Sequence, residues 1–203
     1  MGERLAVVVR IWLPDRPGAL GLVASRIGAV RGDIVGVDVL ERDLGRALDE
    51  VAVVLPEGEL IDMLVHEIEQ VDGVTVEEVR LVDAFPDPRL DALDGAAVLV
   101  EATDLEVLHR SLVEHVRREF LADWSALTGR ELMVGAGDVP APDVLDALAS
   151  RAAVWDDVAV APLSTHGALV LVARDGHPLR RRERSQLDAL ARVADRTWTL
   201  LDR

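Results

Sequence analysis

Between a β-patterned run and a helix-patterned one lies Leu13-Pro14-Asp15-Arg16-Pro17-Gly18-Ala19-Leu20, and this break sets what the first half of the chain can fold into. Residues 4–13 alternate, with Leu5, Val7, Val9, Ile11 and Leu13 on one parity and Arg10 and Trp12 on the other. After the break, Leu20, Val23, Ala24 and Ile27 recur at the i, i+3, i+4, i+7 spacing of an amphipathic helix. A strand must therefore turn sharply into a helix. Such a turn presents the backbone N–H groups of Gly18, Ala19 and Leu20 at the positive end of the helix, where a carboxylate is favoured by roughly 0.3–1 kcal/mol. Gly18 has no side chain, so a ligand or a second chain can approach the backbone closely. Asp15 can cap the helix, with Arg16 and Pro17 at its entry; if it is not used as a cap, it can accept from an ammonium group. Asp-x-Pro-Gly is also an ordinary helix-entry turn, and the motif alone does not separate the two readings.

The elements that follow supply the context. Gly32 stops the helix, and Val35, Val37 and Val39 alternate with Gly36, Asp38 and Leu40 in a second strand. Asp43-Leu44-Gly45-Arg46 turns into a third strand over about 47–55, closed by Pro56. Ile61, Leu64, Val65 and Ile68 mark a second helix, stopped by Gly73. Val74, Val76, Val79 and Leu81 give a fourth strand whose parity slips at Glu77-Glu78, which predicts a bulge. The order is βαββαβ, the ferredoxin-like arrangement with two helices on one face of a four-stranded antiparallel sheet. The second strand is rich in Val with little to blunt it, so pairing with a second copy is expected.

On these residues, positions 5–82 resemble an ACT domain, the small regulatory module attached to many enzymes of amino-acid metabolism. The resemblance rests on the Pro14-to-Leu20 turn, on Gly32-Asp33-Ile34-Val35 entering the second strand, and on the order of elements. It implies a homodimer formed through sheet edges, with a small amino acid bound between the first turn of one copy and the second strand of the other. Asp15, Gly18, Ala19 and Leu20, in one turn with Arg16 and Pro17, would then hold the ligand's main chain. Asp33, Ile34 and Val35 would approach it from the second copy.

Composition excludes much else. The net charge of −15 opposes contact with a nucleic-acid backbone. All 22 basic residues are Arg; without Lys there is no Schiff base, no PLP anchor and no phosphate-loop lysine. The lack of Cys removes disulfides, thiolate nucleophiles and thiolate metal sites. The five histidines show no ligand spacing: His109 and His115, about 600° apart around a helix, do not share a face, and His66, His166 and His177 fall in separate elements. No cofactor, metal or catalytic residue is expected. No apolar stretch approaches the ~20 residues that span a bilayer, and the apolar run after Met1-Gly2-Glu3-Arg4 is too short for a signal peptide. The expectation is a soluble, cytoplasmic protein with no membrane partner. Scarce aromatics, four Trp and two Phe with no Tyr, favour a ligand with a small or aliphatic side chain.

The second half has a different order. Phe85-Pro86-Asp87-Pro88 opens a linker over 85–94 between a first domain at 1–84 and a second at 95–203. A helix is expected from about Leu105 to Leu121, two short strands over 123–136, a helix after Pro142, a hairpin of Val158–Leu163 with Ala168–Ala173, and a last helix through Leu201. This α+β pattern resembles a divergent GAF domain, a small-molecule sensor and dimerisation fold, without the residue set of its cyclic-nucleotide-binding members. Asp104-Leu105-Glu106 through Leu127, Ala168 through Gly176, and the Glu183–Ala194 helix carry the resemblance. Ser164-Thr165-His166 reads as a hairpin tip, Asp156-Asp157 as a solvated turn, and Arg180-Arg181-Arg182 with Arg184 as a solvated helix start. Trp124, Trp155 and Trp198 read as core or pocket wall, and Trp12 as a contact residue. The expected function is a regulatory amino-acid sensor. Two other readings stay open: an enzyme whose second domain is catalytic, and a ligand-free interaction module serving a protein partner.

Overall fold

A computed structural model describes residues 4–56, 60–85, 87–129, 132–151, 156–176 and 178–203. The chain forms two units, Met1–Pro86 and Asp87–Arg203. The expected positions Trp155, His177 and Pro86, and the N-terminal Met1-Gly2-Glu3, lie outside the described residues.

In the first unit the alternating run forms β1 (Leu5–Pro14), followed by α1 (Ala19–Ala29), β2 (Asp33–Asp43), β3 (Arg46–Leu55), α2 (Ile61–Glu69) and β4 (Thr75–Leu81). The sheet order is β2-β3-β1-β4 and every pairing is antiparallel. This is the ferredoxin-like βαββαβ fold. Val7, Val9, Ile11 and Leu13 of β1 and Ala47, Val51, Val53 and Leu55 of β3 pack with Ala19, Val23 and Ile27 of α1 and Leu64 and Ile68 of α2. The α1 stripe is thus shifted by one residue at its start. Ala19 is buried, while Leu20 and Ala24 are half-buried.

The parity slip in β4 is a real bulge: Arg10 faces Glu78, Ile11 faces Val76, and Glu77 is left over. On the face away from the helices, Glu50 accepts from Arg10 Nε at 2.8 Å and from Arg80 Nη2 at 3.0 Å. The indole N–H of Trp12 donates to Glu77 at 3.0 Å, and Arg46 lies over its ring. Strand β2 departs from simple alternation through two register shifts, between Ile34 and Gly36 and between Val39 and Glu41. They leave Val35, Val37 and Val39 exposed on a sheet edge while Ile34 packs against the core.

In the second unit a helix precedes the expected elements. α3 (Pro88–Val100) occupies much of the stretch 85–94 that the sequence assigns to a linker. Its Leu, Ala and Val residues are spread around the helix, so no one-sided stripe announces it. Next come α4 (Leu105–Glu119), β5 (Trp124–Thr128), β6 (Met133–Gly137), α5 (Pro142–Arg151), β7 (Val158–Leu163), β8 (Ala168–Ala173) and α6 (Arg181–Leu201). The sheet order β6-β5-β8-β7 is antiparallel throughout. One core joins Leu99, Leu108, Leu112, Val116, Leu187 and Leu190 to Leu127, Leu163, Val170 and Val172. A second, smaller core sets Leu145 of α5 against Trp124, Ala126, Val158 and Leu171. This unit is an antiparallel sheet flanked by helices, as expected. No described helix is long and apolar enough to cross a membrane.

Candidate functional site

The turn after β1 is built by the residues that announce it. The Asp15 N–H donates to Gly45 O at 2.8 Å, tying the turn to the β2–β3 connection. Arg16 N–H donates to Pro14 O at 2.9 Å. Gly18 occupies the N-cap position in the left-handed region, at φ 88° and ψ −14°, which favours glycine. Among the described residues no side chain caps the helix, so the capping role open to Asp15 is not taken. The backbone reaches Gly18 already turned, and its carbonyl accepts the first helical bond, from Leu22 at 3.1 Å.

This geometry changes which N–H groups are available. Ala19, expected to offer its N–H to a ligand, is buried and donates instead to Arg16 O at 3.3 Å. Among the described residues, the N–H groups of Gly18, Leu20 and Gly21 meet no protein acceptor. Asp15, Arg16, Pro17 and Gly18 are exposed and Leu20 is half-buried. The first turn of α1 carries no acidic residue, so its positive end is not neutralised from within the helix.

Two residues outside the motif complete the surroundings. Arg42, near the end of β2, places Nη1 4.0 Å from Asp15 Oδ1. Asp49 of β3 shares parity with Ala47, Val51 and Val53, which places it on the helix-covered face, opposite Ile11 on β1 and Val39 on β2. It is only 4% exposed, and among the described residues its Oδ1 has no hydrogen-bond partner. Burial pushes the Asp49 carboxyl above its ordinary range; Arg42 opposes the shift and Asp15 adds to it.

Asp33, Ile34 and Val35 are not brought to the turn within one copy. Pro14 pairs with Arg46 and Arg46 with Asp43 at one end of the sheet, whereas Asp33 pairs with Val54 at the other. At about 3.3 Å per residue, the two groups are roughly 30 Å apart along the strand. Asp33 and Val35 are exposed there, and Ile34 is partly buried.

The second unit holds a polar cluster that sequence reasoning passed over as a hairpin tip. His166 Nδ1 lies 2.9 Å from Asp195 Oδ1, and Asp195 Oδ2 accepts from the N–H of Thr165 at 3.1 Å and its hydroxyl at 2.8 Å. Burial raises the Asp195 carboxyl, but the bonds from His166 and Thr165 outweigh it and leave the group below its ordinary range. The His166 ring stacks on Trp198 at 4.3 Å, and His109 meets the same indole at 4.2 Å. His115 Nε2 lies 2.6 Å from Glu119 Oε2. Among the described residues no group of His, Asp and Glu could hold a metal ion. The arginine-rich start of α6 is structural in part: Arg184 donates to Leu179 O and Asp156 O.

No family model and no curated protein matches the chain. Among solved structures, the ACT domain from GTP pyrophosphokinase of Chlorobium tepidum is 16% identical, with a TM-score of 0.32, over 39% of this chain and 100% of that one. An unknown protein from Galdieria sulphuraria is 13% identical at a TM-score of 0.36, covering 96% of this chain and 94% of that one. A bacteriophytochrome from R. palustris is 14% identical at a TM-score of 0.36, covering 82% of this chain and 47% of that one. All are too distant to carry a functional assignment.

Proposed function

We propose that the first unit is a regulatory module that binds a small amino acid at the Asp15–Leu20 turn. The observation that carries this reading is the helix entrance itself: a left-handed Gly18, unpartnered N–H groups on Gly18, Leu20 and Gly21, and no acidic side chain in the first helical turn. These donors suit a ligand carboxylate. The carboxylates nearby suit its ammonium group, and the scarcity of aromatics suits a small or aliphatic side chain.

The site is completed by a second copy. Strand β2 is a sheet edge with Val35, Val37 and Val39 between 39% and 51% exposed. Antiparallel pairing of two β2 strands about a two-fold axis sets the start of one beside the end of the other. Asp33, Ile34 and Val35 of the second copy then approach the turn. A ligand held across this junction favours one dimer geometry, with a coupling on the order of 1–3 kcal/mol to whatever reads it. The second unit receives or adds a signal on this reading, and the protein works in the cytoplasm as a sensor without chemistry of its own.

The exposed valines by themselves also support a second reading, a dimerisation module without a ligand. Calorimetric titration with the twenty proteinogenic amino acids separates the two. Saturable binding of one or a few, lost in Gly18→Val, supports the sensor; an absence of binding heat for all twenty overturns it.

A further inference from the structure

We infer that Asp49, rather than Asp15, is the residue that receives the ligand's α-ammonium group. This rests on the amino-acid-binding reading and assigns the cationic half of the ligand to a residue outside the turn. Three observations on different elements meet here. The Asp49 side chain is almost wholly buried on the helix-covered face of β3, and among the described residues one of its oxygens is without a hydrogen-bond partner. A buried acceptor left unsatisfied costs about 1–3 kcal/mol, and more when charged, so such a group calls for a partner. Asp49 also lies toward the turn's end of the sheet, opposite Ile11 and Val39, where Asp15 and Arg42 are charged groups that act on its carboxyl. Two residues along β3, Ala47 sits between Leu13, which begins the turn motif, and Arg42.

The carboxylates therefore differ in what is left for a ligand. Asp15 is exposed and has a cation within 4.0 Å, whereas Asp49 Oδ1 is closed to solvent and meets no hydrogen-bond partner among the described residues. An ammonium group delivers three donors and a full positive charge to this unsatisfied acceptor. With the ligand's carboxylate on the N–H groups at the start of α1, its two ends fall on two different elements. This demands an α-amino acid with a free amino group and rejects N-acylated or deaminated analogues.

The test compares wild type, Asp49→Asn and Asp15→Asn by calorimetry, with glycine and L-alanine, L-serine, L-valine and L-leucine as probes, each beside its N-acetyl derivative. The wild type binds at least one free amino acid and not its N-acetyl form. Asp49→Asn, shown folded by its circular dichroism and melting, loses about tenfold to a hundredfold in affinity for the free amino acid, the worth of one hydrogen bond between charged groups. Asp15→Asn keeps the discrimination against the N-acetyl form. Equal binding of free and N-acetyl probes by the wild type overturns the inference without needing any variant. Unchanged affinity in Asp49→Asn overturns it while leaving the amino-acid-binding reading intact. No binding of any probe by the wild type removes the reading and this inference together.

Discussion

Arg42 Nη1 stands 4.0 Å from Asp15 Oδ1, linking the end of β2 to the turn after β1, with side chains 62% and 40% exposed. A pair this open contributes little to stability. Its consequence is electrostatic: both charges act on Asp49 of β3, the arginine favouring the carboxylate and the aspartate opposing it.

The net effect on Asp49 is a raised pKa, dominated by burial, and this has a definite pH signature. A carboxyl whose folded pKa exceeds its unfolded value near 3.9 binds protons more readily in the folded state. Its stabilising contribution is complete below the unfolded value and lost as pH rises through the folded one. Asp49→Asn is therefore expected to be more stable than wild type at neutral pH, with the difference shrinking toward acid. Urea denaturation at neutral and acidic pH checks this, and a variant less stable at neutral pH would refute it.

Gly18 tests the turn without touching a contact. A Cβ built there meets nothing within 4 Å, so any cost of Gly18→Ala comes from the left-handed backbone. The expected loss is about 1–2 kcal/mol, read by chemical denaturation of the ligand-free protein. A loss below a few tenths would mean that the backbone relaxes out of the left-handed region.

The turn and the ferredoxin-like order were legible because alternation and helical spacing meet at an abrupt break between Leu13 and Leu20. The Glu77 bulge was legible for the same reason, as a slip in parity. Strand β2 hid its bulges because apolar residues lie on both parities, Val35, Val37 and Val39 on one and Ile34 and Leu40 on the other, so a shift in register leaves no clear break in the pattern. Asp49 carries a signal in the sequence, a carboxylate on the parity of Ala47, Val51 and Val53. The role of His166 depends on Asp195, 29 residues away, and no local spacing reveals such a pair.

Arg174 supports the second unit from within. It is 3% exposed and donates to Phe120 O at 2.9 Å, Pro178 O at 3.1 Å and Glu183 at 3.1 Å. Glu183 in turn accepts from the N–H of Arg180 at the start of α6. Arg174→Met leaves Glu183 and the two carbonyls short of a donor, with an expected loss of about 3–5 kcal/mol. Pairing it with Glu183→Gln recovers part of that loss in a double-mutant cycle. Strict additivity of the two would contradict the account.

His109 makes the second unit acid-sensitive. Burial holds this imidazole below its ordinary range, and His166 lowers it further. The unfolded chain then takes up the proton first, so stability falls as pH drops from about 6.5 toward the folded pKa. His109→Leu is expected to flatten that decline. Asp195, with its lowered pKa, acts in a separate window below about 3.9, where falling pH removes its contribution. Thermal melts between neutral and mildly acidic pH separate the two. An unaltered pH profile in His109→Leu would assign the sensitivity elsewhere.

The central claim is that the Gly18 turn binds a small amino acid, and melting of the intact chain against each of the twenty amino acids tests it most directly. Ligand at a hundredfold over its dissociation constant stabilises by about 2.7 kcal/mol, which for a chain of this size raises the midpoint by several degrees. The account predicts such a rise with one or a few small or aliphatic amino acids, and none with their N-acetyl forms. A flat response to all twenty would contradict it.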